Sequence, residues 1–183
     1  ESEEDIANRC ALELEELILA EGPDTVAALF AEPVMGAGGV IIPPAGYFEK
    51  IRSVLEKYDV LLVADEVICG FGRTGNMWGS QTMDVLPDML TCAKALSSAY
   101  LPISAIMISE KVYAPLAEQA EKLGIFGHGY TYSGHPVACA VAVKTLEIYE
   151  RDNMLEHVNK VSPTFTERLK KCCLLYTSPR PRD

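Results

Sequence analysis

Hydrophobic positions along the chain change period several times, and each change marks an element. Ile6, Cys10, Leu14, Leu17 and Ile18 recur at helical spacing after Ser2, with Asp5 three residues on to close a capping box, until Gly22 and Pro23 stop the run. This predicts an amphipathic helix. Val26 to Ala31 is short and apolar and meets Pro33, Gly36, Gly38 and Gly39, which predicts a buried strand opening into a loop. After Pro43 and Pro44 the period is helical again, with Phe48, Ile51 and Leu55 on one face, and Val60 to Ala64 is a second apolar run that ends at Asp65 and Glu66. Strand, helix and strand in that order predict a parallel pair joined by a right-handed crossover.

A third apolar run, Met89 to Ala93, ends at Lys94. The connection from Lys94 to the next run, Ile103 to Ile108, is shorter than the dozen or so residues of a parallel crossover, so that strand is expected to run antiparallel. Beyond it the pattern predicts a helix over Glu110 to Glu121, a glycine-rich loop from Gly127 to Pro136, a helix from Val137 to about Arg151, and another from Met154 that kinks or restarts at Pro163. No repeat or linker interrupts residues 1–171. The expected architecture is α/β, three layers around a mostly parallel sheet with one antiparallel strand. Residues 172–183, from Cys172 to Asp183, break the helical period and are expected to form a tail, disordered or of non-native origin like translated adaptor sequence; on that reading the chain is a fragment at both ends.

Composition narrows the function classes. The 183 residues make about one domain, with 49% hydrophobic and 23% charged residues as in ordinary globular proteins. A net charge of −10 argues against nucleic acid or an anionic membrane as partner. No apolar run approaches the roughly 18 residues of a membrane span, and Glu1 to Asp5 is the opposite of a basic signal region, so the expectation is a soluble, cytoplasmic protein. The six cysteines form no Cys-x-x-Cys pair, so no metal site is expected, and Cys92 and Cys139 read as small core hydrophobes.

Candidate chemistry lies at the strand ends. Glu32, Asp65 and Lys94 each follow a predicted strand, where α/β sheets gather their ligand crevice. Taken alone, Asp65 could cap a helix or pair with Arg73, and Lys94 could be a snorkelling strand-end lysine. Two chemistries use an acidic pair after an apolar strand. One is a Walker-B-like end, with Asp65 on Mg²⁺ and Glu66 orienting water, but no Gly-x-x-x-x-Gly-Lys-Ser/Thr loop accompanies it. The other sets an aspartate against a pyridinium nitrogen while a lysine on the next strand forms a Schiff base, as pyridoxal 5'-phosphate (PLP) requires. An apolar strand mouth would also desolvate Lys94 and favour its neutral, nucleophilic amine.

Four collinear blocks resemble class III PLP-dependent aminotransferases: Glu32 to Gly39; Asp65 to Gly75; Pro87 and Asp88 with Lys94 to Ser98; and His128 to Pro136. Within that family the chain is most similar to omega-transaminases that use pyruvate as amino acceptor. The resemblance implies the central part of the large domain of a fold-type-I PLP enzyme, with an aminomutase as the alternative inside the family. It also implies that Lys94 holds the cofactor and shuttles the substrate proton, and that Asp65 keeps the pyridine nitrogen protonated. Val67 would pack on the ring, and Thr131 would reach the phosphate of a neighbouring subunit in a homodimer with shared sites. Relatives specialised for ornithine or 4-aminobutyrate carry a glutamate where this chain has Ala37. That leaves a mobile arginine of the C-terminal domain free for a carboxylate such as pyruvate's. His128 and His135 are assigned to loop structure, Arg73 to its own glycine loop and Trp78 to the core.

Overall fold

The structure is a computed structural model that describes the backbone of residues 1–175 and the side chains through Cys172. Helix α1 (Glu3–Glu21) starts at the expected capping box: the Asp5 amide donates to Ser2 Oγ at 3.1 Å and the Ser2 amide to Asp5 Oδ2 at 3.0 Å. It stops at Gly22, whose φ of 92° suits only glycine. Strand β1 (Ala28–Ala31), helix α2 (Tyr47–Lys57) and strand β2 (Leu61–Asp65) follow as a crossover unit. After a short helix α3 (Gly79–Thr82) come β3 (Met89–Cys92) and β4 (Ala105–Ile108), then α4 (Glu110–Leu123), α5 (Pro136–Arg151) and α6 (Met154–Leu175).

The four strands form one sheet in the order β1-β2-β3-β4. The first three are parallel and β4 runs antiparallel to β3, as the short connection after Lys94 requires. Register pairs Leu29 with Leu62, Ala64 with Leu90 and Asp65 with Thr91. Because side chains alternate between faces, Leu29, Leu62, Ala64, Leu90 and Cys92 share one face, while Phe30, Val63, Asp65, Met89 and Thr91 share the other. The first face meets the helices. Leu62 packs with Ala11 and Ile18 of α1 and with Ile51, Val54 and Leu55 of α2, and Leu90 and Cys92 pack with Ala142 of α5. The second face is more open at its edge, where Phe30 is 69% exposed, and all four residues of β4 are exposed.

Two expectations near the C-terminus change. α6 does not restart at Pro163 but continues through it as one helix. Pro163 has no amide to give the carbonyl of Asn159, but Asn159 is exposed, so water can serve that oxygen. Ser162 Oγ donates back to the Val158 carbonyl at 2.6 Å in the same turn. The helix also runs on to Leu175, so Cys172 to Leu175, expected to lie beyond the last element, form its last turn; adding a residue to an existing helix needs no new nucleus. The remainder of the expected tail, residues 176–183, lies outside the described residues.

Asp88 fastens the sheet to α2. Its Oδ2 accepts from the Leu62 amide at 2.9 Å and from Arg52 Nη1 at 2.7 Å, and its own amide donates to the Leu62 carbonyl. Burial raises the pKa of this carboxyl, but the Arg52 guanidinium and the Leu62 amide outweigh it and hold the group below the ordinary aspartate value. A depressed folded value gives stability that is fully present above the unfolded carboxyl's pKa, about 3.9, and is lost as pH falls through the folded value. In urea titrations of the full-length protein, the stability gap between wild type and Asp88→Asn should therefore be widest near neutral pH and shrink below about pH 4. A gap independent of pH would contradict this role.

Candidate active site

Asp65 is the last residue of β2 and faces Thr91 across the parallel ladder. Its Oδ1 accepts from the Val67 amide at 3.0 Å and lies 3.5 Å from Thr91 Oγ1, a longer contact. Oδ2 has no protein donor among the described residues. One carboxylate oxygen is thus fixed by the backbone and the other accepts no hydrogen bond from the described residues. The side chain borders a cavity of about 500 Å³ that also touches Phe30, Glu32, Met35, Ile41 and Tyr47.

Lys94 stands just beyond β3, three residues past the partner of Asp65. Lys94 is exposed and lies outside the cavity beside Asp65. The expected desolvation of its amine is therefore not supplied by this chain, because no side chain of the described residues covers the strand mouth. Its backbone is unusual, with φ at 41°, and Ser98 and Ala99 are also left-handed at 49° and 63°. Non-glycine residues in that region cost about 1–3 kcal/mol and persist only where surrounding contacts enforce them.

Glu66 does not share the site with Asp65. It is fully buried, with Oε2 accepting from the Gly79 amide at 2.8 Å and Oε1 from the Ser80 amide at 2.7 Å. Both oxygens are spent on the first turn of α3, so the water-orienting role of the Walker-B reading has no geometry here. Gly79 is required by this grip: a Cβ there would lie 2.7 Å from Cys69 Cβ and 2.9 Å from Pro33 Cβ. Glu32 is half-buried on the cavity that Asp65 also borders, and its Oε2 accepts from the Gly36 amide at 2.9 Å.

The other expected residues divide. Val67 is half-buried and fixes Asp65 through its amide, a contact that sequence gave no sign of. Thr131, His128 and His135 are exposed in the loop before α5, and no hydrogen bond joins Thr131 to Asp65 or Lys94 among the described residues. Arg73 is exposed and forms no ion pair with Asp65 there either. Trp78 packs with Phe71, ring centroids 4.9 Å apart, on the cluster of Leu90, Cys92 and Leu96, which is a core position. Two further residues belong to the site's frame. Thr91 could have been found by laying the two strands in register. Tyr149, whose hydroxyl donates to the Ala95 carbonyl at 2.7 Å, comes from a helix 54 residues away and has no local signature.

Residues 1–178 match the protein family described as Aminotransferase class-III. The chain belongs to that family. It is 59% identical over 170 residues to gamma aminobutyrate transaminase 1, mitochondrial, of Solanum lycopersicum, covering 93% of this chain and 33% of that protein. It is 55% identical over 170 residues to the vanillin aminotransferase of Capsicum chinense, covering 93% of this chain and 37% of that one. Among solved structures, a transaminase with L-ala superposes with a TM-score of 0.89 at 57% identity, over 93% of this chain and 40% of the other. The omega transaminase from Pseudomonas jessenii in complex with PMP gives 0.83 at 58%, over 86% and 35%. This segment of a class III aminotransferase therefore spans about a third of the curated relatives it matches. The class works with PLP. An unspent carboxylate oxygen at the end of one strand and an exposed primary amine beyond the next fit that cofactor's two needs, an anion for the ring nitrogen and a nucleophile for the aldehyde.

The contrast between the paired acids is testable by denaturant unfolding of the full-length enzyme. Glu66→Ala orphans two buried amides and should cost about 1–3 kcal/mol for each. Asp65→Ala, whose partners lie at a half-open strand end, should cost about 1 kcal/mol or less. Equal losses would contradict the separation of roles.

Proposed function

We propose that this chain is the catalytic lysine segment of a PLP-dependent transaminase that moves an amino group from an amine or omega-amino acid to a keto acid. The observation that carries the reading is the pairing of Asp65, one oxygen free, with Lys94 at neighbouring strand ends in a class III aminotransferase chain. Bound there, PLP would supply an aldehyde for Lys94 Nζ and an electron-withdrawing pyridinium ring. Lys94 Nζ would be the group that holds the cofactor and, when free, the base that moves the α-proton of the bound amine. Asp65 would hold the proton on the ring nitrogen by charge. A carboxylate about 4 Å away at an effective dielectric of about 20 is worth on the order of 4 kcal/mol, or about three pH units of titration.

The finer assignments belong to the same proposal. Val67 packs on the ring, and Thr131 reaches the phosphate of the partner subunit's site in a homodimer. Pyruvate is the acceptor on this reading, which rests on Ala37, where the resemblance puts a glutamate in relatives specialised for ornithine or 4-aminobutyrate; against it stands the similarity to proteins named gamma aminobutyrate transaminases. Free cysteines among the described residues fit a reducing compartment such as the cytoplasm; among the described residues no helix is long and apolar enough to cross a membrane. The names of relatives include mitochondrial and chloroplastic enzymes, which keeps the compartment open to direct imaging of the tagged full-length protein. A diffuse cytoplasmic signal supports the assignment and an organellar one overturns it.

Borohydride reduction of the full-length holoenzyme followed by peptide mapping should find pyridoxyl on Lys94, and Lys94→Ala should lose both label and turnover while its cofactor-free unfolding free energy stays within about 1 kcal/mol of wild type. Label on another lysine would overturn the reading. For the shared site, Lys94→Ala and Thr131→Ala subunits are mixed and allowed to exchange. If Thr131 acts in trans, each hybrid dimer contains one fully wild-type site and normal turnover reappears in part of the population. Verified exchange without that recovery removes the trans role.

A further inference from the structure

The turn that presents Lys94 is held from outside itself. Leu96 donates to the Ala93 carbonyl and Ser97 to the Lys94 carbonyl, which closes the turn but does not select its left-handed start. Ser97 Oγ donates to the Leu101 carbonyl at 2.6 Å and ties down the far side. Above the turn lies α5, and its Tyr149 reaches across with one hydroxyl to two points. That oxygen donates its only proton to the Ala95 carbonyl at 2.7 Å, so Ser98 Oγ, also at 2.7 Å, must be the donor in the second bond. The pair brackets the stretch from Ala95 to Ser98, and both ends of that stretch adjoin residues of positive φ: Lys94 on one side, Ser98 itself and Ala99 on the other.

The Tyr149 ring is itself fixed. It stacks in a tilted arrangement on Phe71 at 6.3 Å, and Phe71 packs on Trp78. Phe71 and Trp78 lie in the loop that begins two residues after Asp65, and Glu66 anchors the end of that loop through Gly79 and Ser80. A continuous series of contacts therefore runs from the Asp65 strand end to the Lys94 turn by way of Tyr149.

We propose that Tyr149 is a positioning residue for Lys94, its hydroxyl holding the turn in the strained conformation that aims the amine at the cofactor; this rests on Lys94 being the Schiff-base lysine. Among the described residues the half-buried phenol's hydroxyl bonds only Ala95 and Ser98. Its effect passes through the backbone of Ala95 and the hydroxyl of Ser98. Without it the left-handed start at Lys94 loses the contacts that enforce it, and the amine samples directions away from Asp65.

The test uses the full-length enzyme with Tyr149→Phe, which keeps the ring and removes both hydrogen bonds, and Ser98→Ala, which removes one. In cofactor-free protein, amide exchange at Leu96, Ser97 and Ser98 should speed up about tenfold in Tyr149→Phe and by a smaller factor in Ser98→Ala. With cofactor bound, the pH midpoint of its absorption band should move by about half a unit or more, and kcat should fall about tenfold with KM within about twofold. A lowered melting temperature with exchange at those three amides, band midpoint and kcat all unchanged overturns the proposal, since a purely structural tyrosine would give that result. Should Tyr149→Phe not fold, Ser98→Ala alone decides: faster exchange and a moved midpoint support the clamp, wild-type values overturn it. Borohydride label on a lysine other than Lys94 in the wild type would instead sink the functional reading on which the clamp rests.

Discussion

The parallel register between β2 and β3 is the constraint on which the site depends. Pairing Asp65 with Thr91 sets how far Lys94 lies beyond the acid. A slip of one residue would turn every side chain of one strand to the opposite face, sending Asp65 into the helix-packed core and Glu66 into the crevice. Burial resists such a slip, because Leu62, Ala64, Leu90 and Cys92 are buried on the face that meets the helices. Asp88 reinforces it at the start of the strands by exchanging hydrogen bonds with Leu62 in both directions. Hydrophobic sorting and one partly buried ion pair thus place Asp65 and Lys94 at neighbouring strand ends.

Alternation also explains why two adjacent acids have unrelated roles. Asp65 leaves the sheet on its open side, with one oxygen tied to the Val67 amide. Glu66 leaves on the packed side and holds α3 through two amides in a fully buried setting. An unpaired carboxylate in that position would be costly, and the two amides of Gly79 and Ser80 are the partners that make it tolerable. The stretch from Gly70 to Trp78 between these anchors then carries Phe71 to Tyr149, which joins the acid's loop to the lysine's turn.

Much of this arrangement was legible in the order of residues, for physical reasons that can be named. Ser2 and Asp5 announce α1 because capping is local, and the short link after Lys94 forces β4 to be antiparallel because chain length limits crossovers. Asp65 and Lys94 stood out as polar groups ending apolar runs. Thr91 was hidden because its partner lies on another strand, and Tyr149 because its hydrogen bonds span 51 and 54 residues. Pro163 misled because local propensity argues for a break where an exposed helix can leave one carbonyl to water. The environment of Lys94 was misjudged for a different reason: an apolar strand implies a dry mouth only if something covers it, and no described side chain does.

On the proposed function, Asp65 and Lys94 grip opposite ends of one cofactor. The most direct measurement is a crystal structure of the full-length protein loaded with PLP. It should show continuous electron density from Lys94 Nζ to the cofactor and the ring nitrogen within about 2.7–2.9 Å of Asp65 Oδ2, the range of a charge-assisted hydrogen bond. A cofactor joined to a different lysine, or a ring nitrogen turned toward any group other than Asp65, would contradict it.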